Sequence, residues 1–206
     1  MRLYLIRHGQ TGWNTEGRAQ GHTDTELDDL GRQQADLVAH FFDRRPLSRV
    51  LSSDLTRCRQ TAEPTAALTE NTLELRAELR ERTFGKLEGQ HFTVLRAFIE
   101  GEIRDKGIAR WDVKPEGGES LTDVWNRLDP IVDLIQTSEE DMAVFSHGGT
   151  CAVLLARLLD AKIETALCFR FENASVSELR RRPGGGWQLL SYSDQTHLGI
   201  FDEEAE

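Results

Sequence analysis

Residues 4–14 read YLIRHGQTGWN, an apolar run that passes in one step to a cation, an imidazole and a glycine. A short continuous apolar stretch suits a buried parallel strand, and the carboxyl ends of such strands are where α/β folds bind ligands. At such an end Arg7 offers a planar fork for an anion, His8 a nucleophile or proton carrier, and Gly9 a backbone that a ligand can approach. Alone, Arg-His-Gly carries little weight, because any tripeptide recurs by chance. The rest of the chain decides its meaning.

Strand and helix patterns alternate downstream. Strands are predicted at Leu3–Ile6, Arg49–Ser52, Leu73–Leu79, Met142–Phe145, Val176–Leu179 and Trp187–Tyr192, the last two joined by the turn Gly184-Gly185-Gly186. Leu30, Leu37, Val38 and Phe41 fall at helical spacing and predict a helix from about Asp28 to Phe42, with Gln34 interrupting its apolar stripe. Ser53 or Asp54 is the expected cap of a helix through Arg57 and Ala62, which Pro64 should kink or end. Further helices are expected at His91–Lys106, Leu121–Gln136 (kinked by Pro130) and Gly148–Leu159. This order predicts one α/β domain over residues 1–206, with residues 90–118 as a cap or insertion over the site. The acidic end, Asp202 to Glu206, is expected to fray.

Composition narrows the functional classes. Hydrophobic residues make up 38% of the 206 positions, enough for a soluble protein with a buried core. No apolar run approaches the roughly 20 residues that cross a bilayer, and the first residues carry no leader-like segment. Cys58, Cys151 and Cys168 are an odd, widely spaced set, which predicts reduced thiols, a cytoplasmic location, and neither a disulfide framework nor a zinc site. A formal charge of −10 argues against a nucleic-acid surface. A small anion is still accessible to such a protein if a few arginines gather in one cleft.

Four predicted strands end in chemistry. The first ends at Arg7-His8; the second runs into SSDLTRCRQTA, with Arg57 in the first turn of a helix; the third leads to Glu81; the fourth ends at His147, ahead of a glycine-led helix. On a parallel sheet these ends share one edge, where two helix N-termini would add free amides and positive dipole ends. Each residue also has a plain reading: Arg57 as a solvated surface cation, Glu81 as one member of an ion-pair cluster with Arg80 and Arg82. Their joint occurrence at four successive strand ends predicts a phosphate crevice instead.

The set of motifs resembles the histidine phosphatase superfamily, in the branch that includes cofactor-dependent phosphoglycerate mutases. The matching stretches are RHGQTGWN at 7–14, GRAQGHTDTELDDLGRQQA at 17–35, SSDLTRCRQTA at 52–62 and ERTFGKLEG at 81–89. GGES at 117–120, SHGG at 146–149 and NAS at 173–175 complete the order. The resemblance implies a three-layer α/β/α sandwich with a mostly parallel, phosphoglycerate mutase-like sheet. It makes His8 the nucleophile of a phosphohistidine intermediate and groups Arg7, Arg57 and His147 around the transferring phosphoryl. Glu81 is then the best general acid and base. Asn14, Gln20, Gly21 and Gly148 match the substrate loop and anion-binding turn. Gln10 departs from the family's usual glutamate, beside the catalytic core.

The expected activity is metal- and cofactor-independent hydrolysis of a small phosphorylated metabolite. A mutase is the alternative, but the interval from Glu81 to His147 is shorter than that branch carries and holds no adjacent arginine pair. A non-catalytic binding module is disfavoured because every core position is filled, and a metal hydrolase because close His/Asp ligand spacing is missing. The leaving group is not readable, nor is oligomeric state, although a homodimer through a sheet edge is compatible with the chain. Phe92, Leu95, Phe98, Ile99, Ile103 and Trp111 fit either a leaving-group pocket or simple core packing. Asn173 fits site support or turn chemistry equally; His22 and His91 are weaker leaving-group candidates. His40 and His197 are expected to be structural, Trp13 to pack, and Arg180-Arg181-Arg182 to form a solvated strand edge.

Overall fold

The computed structural model describes residues 1–199 and places β1 (Arg2–Arg7) and β4 (Met142–Ser146) side by side at the centre of a six-stranded sheet. The predicted fraying of residues 202–206 lies outside the described residues. The remaining strands are β2 (Arg49–Ser52), β3 (Leu73–Leu75), β5 (Val176–Arg181) and β6 (Trp187–Asp194), in the order β3-β2-β4-β1-β5-β6. β3, β2, β4 and β1 are parallel, whereas β5 and β6 add antiparallel pairs at one side.

Side-chain alternation along the central strands builds two cores. Leu3, Leu5, Met142 and Val144 face helices α5 (Leu121–Arg127), α6 (Asp129–Thr137) and α7 (Gly148–Leu158). Tyr4, Ile6, Ala143 and Phe145 face α2 (Asp29–Phe41) and α3 (Thr56–Leu68). Both faces of β1 and β4 are therefore covered, which is why those strands are continuously apolar rather than alternating. Each such leucine or isoleucine contributes roughly 1.5–3 kcal/mol by leaving water. A third, smaller core joins α4 (Phe92–Lys106) to the loops before and after it through Ala19, Leu95, Ile99 and Val113. The chain also forms a one-turn helix, α1 (Gly12–Thr15). No helix among the described residues is long and apolar enough to cross a membrane.

Several local expectations are corrected. The third strand stops at Leu75 rather than Leu79: its partner β2 ends at Ser52, the Arg76 amide donates to Ser52 O, and the chain then turns through a 3₁₀ segment that buries Leu79. In α2 the predicted stripe is rotated: Leu30 and Leu37 are 47% and 38% exposed, while Gln34 is buried with Ala35, Val38 and Ala39. Gln34 is there because its Oε1 accepts the Gln10 amide at 2.8 Å, so a polar residue on the inner face fastens the loop after β1. Neither Ser53 nor Asp54 caps α3; the Asp24 carboxylate reaches across and accepts from Thr56 N at 2.7 Å. Pro64 lies inside α3, which runs on to Leu68. The predicted helix at 121–136 is two helices, broken at Leu128, with Pro130 in the first turn of α6, where a missing N–H is harmless.

Candidate active site

Strand register brings the predicted residues together. In the β1–β4 pair Arg7 lies opposite Ser146, so the next residues, His8 and His147, leave adjacent strand ends. The His8 amide donates to Ser146 O at 2.9 Å, and the two imidazoles sit edge to face with centroids 5.2 Å apart. Ser52 pairs with Phe145, which delivers Arg57 from the start of α3. β5 runs antiparallel to β1 with Val176 opposite Ile6, so residues 173–175 arrive at the same edge.

A cleft of about 680 Å³ opens there. Arg7, His8, Asn14, Gln20, Gly21, Arg57, Glu81 and Gly148 all line it; His147 is fully buried, its ring against that of His8. The His8 ring is fixed by its Nδ1–H, which donates to Gly9 O at 2.7 Å and leaves the Nε2 lone pair free to attack. Burial, reinforced by the Arg57 and Arg7 cations, holds the His8 imidazolium well below its ordinary range, so the ring is neutral at pH 7. His147 is held down by burial and by the same cations.

The arginines are only partly satisfied. Arg7 donates from Nη1 to Phe171 O at 2.7 Å, and Arg57 from Nη1 and Nη2 to Thr23 O and Gly21 O at 3.0 and 2.8 Å. Arg7 Nε, Arg57 Nε and His147 Nδ1 are buried without any partner. Ser53 Oγ lies 2.9 Å from His147 Nε2 and accepts the Leu55 amide at 3.3 Å. Cys58 Sγ lies 3.5 Å from the same nitrogen. When the Ser53 hydroxyl donates to Nε2, the ring proton of His147 sits on the unpartnered Nδ1.

Glycine at position 9 has a packing reason: a Cβ there would stand 2.6 Å from Gly31 O, so Gly9 permits the loop to touch the start of α2. The helix N-termini are partly occupied. The Gly149 and Thr150 amides of α7 donate to the Glu81 carboxylate at 3.0 and 3.2 Å, and the first amide of α3 is taken by Asp24. Carboxylates satisfy the same dipole ends that phosphate would.

The surface-cluster reading of Glu81 fails, because its flanking arginines point elsewhere. Arg80 forks onto Asp54 at 2.7 and 2.6 Å, and Arg82 is buried with its guanidinium on Glu119 O and Val113 O. Arg127 holds the Glu81 segment by donating to Glu78 O, Arg80 O and Glu81 O, and is itself paired with Glu119 at 3.0 Å. Glu88 is a second organiser. Its carboxylate accepts from the His22 and Thr23 amides, both threonine hydroxyls at 23 and 83, and the Phe84 amide. Burial pushes that carboxyl up, but these hydrogen bonds outweigh it and leave it below its usual value.

Ser53, Glu88, Glu119 and Arg127 were not singled out by residue chemistry. Ser53, Glu88 and Glu119 lie inside the matched motifs, which is the one signal available; Arg127 has none. Asn173 belongs to the site, since its Nδ2 donates to His8 O, Gly9 O and Asn14 Oδ1. His22 is structural, donating from Nε2 to Glu81 O at 2.8 Å, and His91 caps α4. His40 and His197 bond to backbone carbonyls away from the cleft. Cys58 and Cys151 are buried free thiols and Cys168 an exposed one. Among the described residues no three His, Cys, Asp or Glu side chains group as a metal site.

Comparison with known proteins gives the same direction. A family model described as histidine phosphatase superfamily (branch 1) matches residues 3–195. The chain is 34% identical to phosphoglycerate mutase-like protein 4 of Arabidopsis thaliana over 95% of its own length and 86% of that protein's. It is 35% identical to a glucosyl-3-phosphoglycerate phosphatase of Mycolicibacterium vanbaalenii, over 79% and 76% of the two chains. Among solved structures, a phosphoserine phosphatase of Entamoeba histolytica in complex with 3-phosphoglyceric acid superposes with a TM-score of 0.82 at 29% identity, covering 96% and 98%.

Proposed function

Because this chain belongs to the histidine phosphatase superfamily, we propose that it hydrolyses small phosphomonoesters without metal or cofactor through a phosphohistidine on His8. The observation that carries this reading is the set of orphaned polar atoms around His8: the donors Arg7 Nε and Arg57 Nε, together with His147 Nδ1. A buried donor without a partner costs roughly 1–3 kcal/mol, and a phosphoryl group supplies the acceptors that would recover it.

The steps balance as two displacements. His8 Nε2 attacks phosphorus in line, the P–N bond forms and the P–O bond to the leaving group breaks. Glu81 gives its proton to the departing oxygen. Water then attacks the phosphohistidine, Glu81 takes its proton, and the P–N bond breaks to release phosphate. Arg7 and Arg57 offset charge on the non-bridging oxygens, and the His147 Nδ1–H donates to one of them. Asn14 keeps its Nδ2 protons for substrate because its Oδ1 is engaged by Thr11 and Asn173. Gln20 likewise presents its amide NH₂, its Oε1 being held by Thr25 at 2.6 Å. Gly148 contributes its backbone at the mouth of α7.

The test is p-nitrophenyl phosphate hydrolysis in excess chelator. Chelator-resistant turnover supports the reading; activity that disappears in chelator and returns with a divalent metal overturns it. Exchange between 3- and 2-phosphoglycerate that requires 2,3-bisphosphoglycerate would instead assign a mutase.

A further inference from the structure

The cleft extends well past the groups assigned to phosphate, and its extension is apolar on two sides. One side is α4 and its approach, through Phe84, Phe92, Leu95 and Ile99; Leu95 and Ile99 also belong to the small third core. The other side is the main core beneath α7, reached at Leu121, Val153, Leu167 and Phe169; Leu121 and Val153 stay buried and Leu167 is exposed. The space thus lies between two separate hydrophobic cores. Phe92 and Leu167, one from each side, are large apolar side chains left 47% and 43% exposed. Isolated exposed apolar residues are ordinary, but two that line one cavity continuous with a reactive histidine are a place for apolar substrate.

We propose that this extension binds the leaving group, and that the preferred substrates are phosphomonoesters whose leaving group is a bulky aromatic or aliphatic body rather than a small hydroxy acid. The inference rests on the phosphatase reading for the chemistry, not for the binding. A cavity of about 680 Å³ is of a size that takes a drug-sized ligand, far more than a phosphoryl group and a three-carbon acid fill. The basic side chains on the lining do not alter this preference: Arg18 and Arg170 are paired with Glu16 and Glu172, and Arg82 is spent on backbone carbonyls. Outside the phosphate cradle of Arg7 and Arg57, Arg110 is the lining cation with neither an ion pair nor a side-chain hydrogen bond among the described residues, so a carboxylate-bearing leaving group is the competing occupant.

The experiment compares 2-naphthyl phosphate with phenyl phosphate, whose leaving groups differ little in acidity, and both with O-phosphoserine. In parallel, calorimetry measures binding of the matching naphthyl- and phenylphosphonates, which are not hydrolysed. The second ring should improve kcat/KM and phosphonate affinity by about tenfold, the scale of a small apolar increment in a fitted pocket. Phe92→Ala and Leu167→Ala, both half-exposed and so tolerable to the fold, should each remove most of that ratio. Leu190→Ala, an exposed leucine on β6, should leave it intact. Equal affinities for the two phosphonates, or an O-phosphoserine preference insensitive to Phe92→Ala and lost in Arg110→Ala, would overturn the inference. Phosphonate discrimination without turnover of any ester would retain the apolar subsite and reject the phosphatase reading.

Discussion

At the scale of single residues, the site depends on controlling which nitrogen carries a proton. His8 gives its Nδ1 proton to Gly9 O, and His147 is paired through Nε2 with Ser53. Ser53→Ala should remove the partner that sets the His147 tautomer; one lost hydrogen bond of about 1–1.5 kcal/mol corresponds to roughly tenfold in kcat. Steady-state kinetics check this, and an unchanged kcat would remove Ser53 from the account. Glu81→Gln keeps the shape of the carboxyl but cannot donate a carboxylic proton. Turnover of an alkyl phosphate should fall about 10²–10⁴-fold, with a smaller loss on p-nitrophenyl phosphate, whose leaving group needs less help. Equal losses on both substrates would point to a structural role for the carboxylate at the α7 N-terminus.

At the scale of elements, the loop at residues 20–23 is held by one carboxylate. Glu88 collects its amides and hydroxyls, and the same loop gives Arg57 its two carbonyl acceptors. Gly21 needs a positive φ of 54° there, and a Cβ would stand 2.2 Å from Glu88 Oε1. Glu88→Gln should therefore destabilise the fold by about 1–3 kcal/mol and raise KM together, because the loop that loosens is the one that aims Arg57. Thermal unfolding and KM for p-nitrophenyl phosphate report the two effects; a lower Tm with KM unchanged would separate the loop from the site.

Legibility of the sequence follows the same division. Buried strands such as Leu3–Ile6 and Met142–Phe145 are readable because covering both faces forces a continuous apolar run. The residues at their ends are readable because a parallel sheet gathers carboxyl ends on one edge. Contacts made across the fold are not. Gln34 looks like a flaw in the α2 stripe until its bond to Gln10 is seen, and Asp24 replaces a local cap from 32 positions away. Arg127, part-buried against three carbonyls of the Glu81 segment, looks like any helical cation.

At the scale of the whole molecule, neutral buried histidines couple the site to stability. Burial lowers the folded-state values of His8, His147 and, more modestly, His197 from the ordinary 6.5. Below pH 6.5 the unfolded chain binds protons that the native one does not, so stability is lost as pH falls through that value. The slope is at most about 1.4 kcal/mol per pH unit for each group. The carboxyls held down by partners, Asp54, Glu74, Asp123 and Asp194, start from 3.8 or 4.5 and act only at lower pH. Between pH 7.5 and 5.5 the Tm should therefore fall, and His147→Gln should flatten the decline. A Tm independent of pH over that range would contradict neutral burial of these rings.

The proposed role of His8 as nucleophile can be tested directly. Native protein and His8→Ala are mixed with p-nitrophenyl phosphate, quenched within a turnover into alkaline denaturant, where phosphohistidine survives, and weighed intact. The account predicts that the native chain gains the mass of one phosphoryl group, that acid removes it, and that His8→Ala never acquires it. A phosphoryl adduct persisting in His8→Ala, or one that resists acid in the native protein, would contradict the assignment of His8.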